Sequence, residues 1–233
     1  MARQGLIIKI EGVDGCGKSS LAGDVARHFQ KNYAVVVTRE YKTEHDVCVQ
    51  LNAAGRTVSE ILYEIALDPR LEFDDWEREV TMAVAARRHN RIVLPRLRHE
   101  YDLVVCDRSV LTNYAYGCDL GPDYRWFVEF FLDSVSIADR VFWIDANVEE
   151  SYARRSGSFA KNQPSTKDNV EHKGIDFQRA VAREFARLAK KTPLIVTING
   201  RRDYQSVLDE LITEVDDLLV RTLGSDRVAA PGR

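Results

Sequence analysis

The sequence of 233 residues lacks several features that mark specialised classes of protein. No stretch approaches the ~20 consecutive apolar residues that a membrane-spanning helix needs, so we expect no membrane segment. The four cysteines are scattered, and no CxxC pair or Cys/His cluster has the spacing of a zinc site. The N-terminus shows no apolar core followed by a cleavage site. We therefore expect a cytoplasmic protein whose cysteines are reduced.

An excess of charge of one sign is also missing. The 33 basic and 36 acidic residues are interspersed and give a formal charge of -3, so no nucleic-acid or membrane surface is expected. Internal repeats and linkers are missing too. We expect one domain over residues 1–224, followed by a disordered tail at 225–233.

What is present is an alternation of short apolar runs and longer amphipathic segments. The runs have the length and β-branched composition of strands buried on both faces, and the segments between them have helical spacing. This alternation predicts an α/β fold with a five-stranded parallel sheet in a three-layer α/β/α arrangement. The predicted strands are residues 6–10, 34–38, 103–106, 140–144 and 194–198. The predicted helices are residues 20–31, 58–67, 74–97, 124–135, 148–155, 177–191 and 204–223.

Residues 156–169 are polar and form a segment too long for a simple connection. Long polar loops in compact domains often cover active sites. We expect a mobile lid over about residues 155–172.

Residues 12–19 fit the pattern G-x-x-x-x-G-K-[ST] and lie between a predicted strand and a predicted helix, which is the context that the motif requires. In such a loop the backbone N–H groups hold phosphate oxygens, Lys18 reaches the β- and γ-phosphates and Ser19 ligates Mg²⁺. The pattern predicts a P-loop NTPase fold that binds ATP with Mg²⁺. The predicted ATP-binding residues of the loop are Gly12, Gly15, Cys16, Gly17, Lys18, Ser19 and Ser20.

An acidic residue, Asp14, lies inside this loop. A carboxylate beside phosphates is unfavourable unless it points away from them or meets a hydrogen-bond donor. A sugar hydroxyl of a second substrate would be a suitable donor. A solvated turn residue is the alternative.

A second polar pair, Asp107 and Arg108, follows the third predicted strand. Ligands of open α/β folds bind at the carboxyl ends of the strands, so Asp107 suits a place near Mg²⁺, directly or through water. The guanidinium of Arg108 offers a planar fork for phosphate oxygens. A surface ion pair between the two residues is the alternative.

These motifs together resemble the thymidylate kinase family of nucleoside monophosphate kinases. EGVDGCGKSS (11–20), VVVTREY (35–41) and DRSVLTNYAYG (107–117) resemble the first, second and third motifs of that family. The helical stretches 59–73 and 80–90 resemble the segment between the second and third motifs, and 168–185 resembles the segment after the lid. The ordered set covers nearly the whole chain up to about Leu223.

The resemblance implies a site for a deoxynucleotide acceptor. Asp14 would approach the deoxyribose 3′-hydroxyl, Asn113 would hydrogen-bond the pyrimidine and Tyr116 would crowd the 2′ position against ribonucleotides. The predicted substrate-binding residues are Asp14, Arg39, Glu40, Arg87, Arg108, Thr112, Asn113 and Tyr116, with Glu40 as an active-site carboxylate and Arg87 also near the base.

The resemblance also implies features outside the acceptor site. Asn199 and Gly200 would form part of the ATP base pocket. The chain would be a homodimer packed through helices such as 75–98 and 124–137. A plain turn between strand and helix would look the same at Asn199 and Gly200.

Some relatives carry an arginine in the phosphate loop where this chain has Gly15. The missing positive charge is then expected from the lid, where Arg154, Arg155, Lys161 and Lys167 are available. We favour Arg155 and Lys161 as catalytic residues, together with Lys18, Arg108, Asp14 and Glu40.

Three departures from the family pattern concern the acceptor base and the lid. Ala83 stands where a stacking phenylalanine is usual, and Tyr41, Lys42 and Thr43 replace a proline and glycines. The lid lacks the usual arginine–glycine pattern. Loss of a stacking ring removes roughly 1 kcal/mol, which Tyr41 or Phe73 could restore.

The favoured function is the ATP-dependent phosphorylation of a deoxynucleoside monophosphate, dTMP first of all. One alternative is a kinase of a modified pyrimidine deoxynucleotide. Another is a deoxynucleoside kinase, in which Glu40 would be the general base because a neutral alcohol must lose its proton. A nucleotide-dependent switch without a small-molecule acceptor is the third.

Overall fold

The structure, a computed structural model, describes residues 4–39, 42–43, 58–131, 137–159 and 173–224. Its sheet has six strands in the order β3-β2-β4-β1-β5-β6. The strands are β1 (Leu6–Glu11), β2 (Val35–Arg39), β3 (Lys42–Thr43), β4 (Leu103–Asp107), β5 (Arg140–Ile144) and β6 (Ile195–Ile198).

The five apolar runs all form strands, and these strands are parallel to one another. The predicted α/β class and parallel sheet are confirmed. The structure adds β3, which pairs antiparallel with β2 at the edge of the sheet. Two residues are too few to show a hydrophobic period, so no pattern could have revealed this strand.

Helices cover both faces of the sheet. They are α1 (Lys18–Phe29), α2 (Val58–Leu67), α3 (Asp75–Arg88), α4 (Leu94–Glu100), α5 (Val110–Tyr116), α6 (Gly121–Phe131), α7 (Val148–Phe159), α8 (Gly174–Lys191) and α9 (Tyr204–Leu223), with a 3₁₀ turn at Pro69–Leu71 and a π-helix at His89–Val93. Alternate residues of β1 enter different layers: Ile8 and Ile10 belong to the cluster that includes α1 and α9, whereas Ile7 packs with Leu94 and Leu97 of α4. The three-layer arrangement follows from this alternation.

The segment 74–97, predicted as one helix, is divided into α3, the π-helix and α4. Pro95 lies in the first turn of α4 and has no N–H group to continue the α-helical ladder. The N–H of Leu94 donates to the carbonyl of His89, five residues back, which is π-helical spacing.

The predicted polar loop at 156–169 requires a correction. Helix α7 continues to Phe159, so the first part of that segment is helical. Residues 160–172 and the tail 225–233 lie outside the described residues. Within the described ranges, no helix is both long and apolar enough to cross a membrane.

Candidate active site

The phosphate-binding loop connects β1 to α1 at the centre of the sheet. Lys18 is the first residue of α1, and its ammonium group donates to the carbonyls of Gly12 and Val13 at 2.8 and 2.7 Å. The side chain is only 4% exposed. Ser19 and Ser20 follow in the first helical turn and are exposed. The loop therefore has the strand–loop–helix form that the motif requires, with the lysine held inside it.

Helix α7 packs directly on this loop. Gly15 has a φ of +77°, and a Cβ there would lie 2.2 Å from the backbone oxygen of Ser151, a fully buried residue of α7. Arg155, one turn further along α7, has its own Cβ 3.4 Å from the same point. A side chain at position 15 would force the loop and α7 apart, which explains why this chain has a glycine there.

The Asp14 carboxylate, 5% exposed, lies among three cations. Arg108 pairs with Oδ1, Nη1 of Arg155 lies 2.9 Å from Oδ2, and Nζ of Lys18 lies 4.0 Å from Oδ1. Burial raises the pKa of this carboxyl group, but the charges of Arg108, Lys18 and Arg155 outweigh burial and hold the pKa well below its ordinary value. Asp14 is therefore ionised at neutral pH, and the alternative of a solvated turn residue is wrong.

The backbone of Asp14 is also fixed. Its N–H donates to Oε1 of Gln178 at 3.3 Å, and Gln178 is a buried residue of α8. Gln178 carried no motif that singled it out in the sequence.

Arg108 reaches the loop because of its backbone conformation. It follows β4 directly with a φ of +76°, and its N–H donates to the carbonyl of Ile10 in β1 at 3.1 Å. The guanidinium lies 5.7 Å from the ring centre of Tyr116, within the range of a cation–π contact. Arg108 thus lies between Tyr116 and Asp14, and its side chain is 18% exposed, so it faces the loop rather than the surface.

Glu11, which sequence reasoning missed, organises the start of α5. The side chain is fully buried and accepts hydrogen bonds from the hydroxyls of Ser109 and Thr112, the latter at 2.6 Å. Ser109 in turn accepts from the N–H of Leu111 and caps α5. Burial raises the pKa of Glu11 above its ordinary value. Hydrogen bonds from the two hydroxyls and the charges of Arg108 and Lys18 offset only part of this effect. The hydroxyl of Thr112, predicted to bind substrate, is therefore engaged within the protein.

The base-recognition candidates lie on α3 and α5. Asn113 is buried, and so is Glu79 of α3, a second buried acid that sequence reasoning missed. Burial raises the pKa of Glu79 to about 7. Ala83, one turn after Glu79, is fully buried, Phe73 is half-buried, and Tyr41 lies outside the described residues. Arg87 is half-buried near the end of α3.

Asp107 and Ser19 carry the types of oxygen, a carboxylate and a hydroxyl, that bind Mg²⁺ in proteins. Asp107 ends β4 and is 4% exposed, and its buried Oδ1 accepts no hydrogen bond from the residues that the structure describes. Mg²⁺ prefers such anionic oxygens and keeps several waters, so one carboxylate and one hydroxyl suffice beside a phosphate ligand. A group of three or more His, Cys, Asp or Glu residues placed to hold a metal does not occur within the described ranges.

The remaining predicted residues lie at the edges of this region or beyond it. Asn199 is exposed and accepts from the N–H of Arg201, and Gly200 donates to the carbonyl of Asp145 at 3.1 Å. Arg154 points along α7 to the carbonyl of Glu150. The backbone of Arg39 pairs with Asp107 across β2 and β4. Glu40, Lys161 and Lys167 and the side chain of Arg39 lie outside the described part of the chain.

Comparison with known proteins matches the chain over most of its length. The sequence model of the thymidylate kinase family matches residues 10–211. The thymidylate kinase of Pediococcus pentosaceus is 26% identical over 92% of this chain and 99% of its own. That of Enterococcus faecalis is 27% identical over 88% and 93%, and that of Bacillus anthracis is 25% identical over 93% and 100%.

Proposed function

The chain belongs to the thymidylate kinase family, and from that premise we propose that it transfers the γ-phosphoryl group of ATP to dTMP and forms dTDP. The observation that carries this function is the cluster around Asp14. One carboxylate inside the phosphate loop holds Arg108 from the end of β4 and Arg155 from α7. The donor loop, the acceptor edge of the sheet and the helix that leads into the predicted lid therefore meet at one point.

The chemistry requires alignment, neutralisation of charge and exclusion of water rather than covalent help. The ammonium group of Lys18 lies inside the loop and donates to the carbonyls of Gly12 and Val13. When ATP binds, the same N–H groups donate to its β- and γ-phosphate oxygens instead. Arg108 and Arg155 are planar donors suited to the oxygens of the transferring group. Mg²⁺, held by Ser19 and Asp107, supplies further positive charge to the ATP phosphates.

Asp14 links the two substrates. When the arginines turn to phosphate oxygens, its carboxylate gains capacity to accept a hydrogen bond, and the 3′-hydroxyl of the acceptor's deoxyribose is the donor that we assign to it. The buried Tyr116 ring beside Arg108 disfavours a 2′-hydroxyl in the same space. Glu40, Lys161, Asn199 and Gly200 keep the roles predicted from the family resemblance.

The test is a panel of deoxynucleosides and deoxynucleoside monophosphates incubated with ATP and Mg²⁺, with products identified by mass. We expect dTMP to give dTDP, and Lys18→Ala to give none. Phosphorylation of deoxynucleosides alone would refute the proposal, and a severe loss of kcat in Glu40→Gln would then support a general base. ATP hydrolysis unaffected by any acceptor would indicate a switch instead.

The assembly that we propose is a homodimer in the cytoplasm. Trp126 and Phe130 of α6 stack on each other and are 69% and 65% exposed, and Trp76 at the start of α3 is 42% exposed. An apolar surface of this kind on the two predicted interface helices supports self-association. Light scattering should give a dimer for the wild type and a monomer for Trp126→Glu. A monomeric wild type would refute the assignment.

The three described cysteines, Cys16, Cys106 and Cys118, are free thiols, which suits a reducing compartment.

A further inference from the structure

One face of β1 carries two buried charged side chains close to the phosphate loop. Lys9 is 1% exposed and Glu11 is fully buried. Residues i and i+2 of a strand face the same side of the sheet, and Ile7, the preceding residue on this face, packs in the apolar cluster with α4. The face therefore changes from apolar to charged as it approaches the loop. Buried charges require hydrogen-bonding partners, so the partners of Lys9 and Glu11 show which elements this face holds.

Each of the two side chains contacts one of the helices that carry the acceptor candidates. Glu11 accepts from the hydroxyls of Ser109 and Thr112 at the start of α5. Nζ of Lys9 donates to Oδ1 of Asn90 at 2.6 Å. Asn90 is 1% exposed and belongs to the π-helix that directly follows α3. Glu11 thus holds α5, and Lys9 holds the chain at the end of α3.

The amide of Asn90 connects β1 to the last turn of α3. Its Nδ2 donates to the carbonyl of Ala86 at 2.7 Å, while its Oδ1 accepts from Lys9. An ammonium group only donates and a carbonyl only accepts, so these two partners fix the orientation of the amide. The carbonyl of Ala86 belongs to the peptide group that joins Ala86 to Arg87, the acceptor-binding candidate of α3. The hydrogen bonds that begin at β1 therefore end on the backbone of Arg87.

A small polar cavity lies beside the Lys9–Asn90 pair. Its volume is about 10 Å³, roughly the room that one water needs, and its walls include Lys9, Asn90 and Arg108. Arg108 is the second arginine predicted for the acceptor. π-helical turns are rare and occur frequently at functional sites. The Lys9–Asn90 pair therefore adjoins the acceptor side of the site and not a remote part of the core.

We propose that Lys9 and Asn90 are positioning residues for the acceptor: by holding the peptide group between Ala86 and Arg87 against β1, they place the Arg87 side chain for dTMP. The phosphate loop begins at Gly12, directly after the same strand, so β1 sets the positions of both the donor phosphates and Arg87. The inference rests on the proposed function, in which Arg87 binds the acceptor nucleotide as the family resemblance implies.

The first experiment uses Asn90→Asp, which is nearly isosteric with the wild type. An aspartate keeps a partner for Lys9 but cannot donate to the carbonyl of Ala86, so the end of α3 is released while the buried ammonium group stays paired. We expect KM for dTMP to rise roughly fivefold to tenfold, as for the loss of one hydrogen bond. We expect kcat and KM for ATP to stay within about twofold of wild type. A rise in both KM values, or in neither, overturns the proposal.

Arg98→Met is the matched control. Arg98 of α4 pairs with Asp139 at 2.6 Å, and the same carboxylate accepts from the N–H of Ile7 in β1 at 2.7 Å. This pair also connects a helix to β1, but at the end of the strand that is far from the loop. Its loss should leave both KM values unchanged. An equal rise in KM for dTMP in Asn90→Asp and Arg98→Met would assign the effect to general loosening of the fold and would contradict the inference.

The second experiment tests whether the effect passes through Arg87. In the Arg87→Ala background there is no guanidinium to place, so adding Asn90→Asp should change KM for dTMP by less than about twofold. An effect of Asn90→Asp of the same size in both backgrounds would show that the two residues act independently, and the proposal would be wrong.

A third variant separates positioning from stability. Lys9→Met combined with Asn90→Leu replaces both partners by apolar side chains, a change that is often nearly neutral for stability, but it removes the hydrogen bond to Ala86. The double variant should show the same raised KM for dTMP, and a wild-type KM would refute the proposal. This variant decides the question should Asn90→Asp not fold.

The inference and the proposed function fail in different ways. If the wild type forms dTDP and Asn90→Asp keeps the wild-type KM for dTMP, the inference fails and the proposed function stands. If the wild type forms no dTDP, the proposed function fails and the inference falls with it.

Discussion

Replacing Gly15 with alanine would push a methyl group into the backbone of α7. The added Cβ would lie 2.2 Å from the oxygen of Ser151, whereas ordinary contacts begin at 3.4 Å. Either α7 or the loop must therefore move by about 1 Å, and overpacking of this kind costs about 1–3 kcal/mol. The positive φ of position 15 adds about 1–2 kcal/mol for any residue with a side chain.

Gly17 offers a control for the conformational part of this cost. Its φ is +98°, and a Cβ there would meet nothing within 4 Å. Gly17→Ala should therefore lower the free energy of unfolding by about 1–2 kcal/mol, and Gly15→Ala by about 2–5 kcal/mol. The difference between the two variants measures the contact between the loop and α7.

The measurement is urea unfolding followed by far-UV circular dichroism, with equal m-values required for the comparison. Retreat of α7 would also break the 2.9 Å contact between Arg155 and Asp14, so kcat of Gly15→Ala should fall by roughly tenfold or more. Equal destabilisation by the two substitutions would show that α7 does not press on the loop, and would refute the steric explanation for Gly15.

Three further outcomes are expected. Asp14→Asn should lower the free energy of unfolding by about 3–5 kcal/mol near pH 7. Because the folded-state pKa of Asp14 is lowered, this difference should begin to shrink as the pH falls below about 4, the pKa of the unfolded group, and should be lost only as the pH approaches the lowered folded-state pKa; a difference that does not shrink in acid would contradict the ion pairs. Arg155→Ala should lower kcat about a hundredfold, and Arg154→Ala, whose side chain contacts Glu150, should have a much smaller effect; equal losses in steady-state assays would argue against a special place for Arg155. The raised pKa of Glu79 should make the wild type lose stability as the pH rises from about 4.5 to about 7, so Glu79→Gln should show a flatter denaturation profile over that window.

The parts of the fold that the sequence predicts well are those with strong periodicity. Short β-branched runs such as residues 103–106 and 140–144 are typical of buried strands, and their alternation with helical segments predicts a parallel sheet. Helix α5 was not predicted, because seven residues are too few to show an amphipathic pattern. The division of the helix after Arg88 depends on Pro95, whose effect on a neighbouring turn is not visible in hydrophobic periodicity.

The candidate site was predictable where a motif fixes both residue type and backbone. The loop lysine, Asp14 and Arg108 follow from strand ends and spacing, and they do lie together. Glu11 and Gln178 could not be found in this way, because each acts through hydrogen bonds to residues more than 100 positions away in sequence. Buried polar side chains in helices and strands look like ordinary surface residues until the partners are known.

The pairing of Asp14 with two arginines has a consequence for which ligands the site admits. The carboxylate is an anion built into the protein that already occupies the donors a phosphate would use. Inorganic phosphate or sulfate must compete with the Asp14 carboxylate for the two arginines. Binding of such an anion would leave the buried carboxylate without its arginine partners, which is unfavourable. A nucleotide brings a hydroxyl next to its phosphate and can satisfy both sides of the broken pair. The site therefore favours ligands that combine a phosphate with a sugar. A bare anion binds less well, because it must displace the Asp14 carboxylate from Arg108 and Arg155.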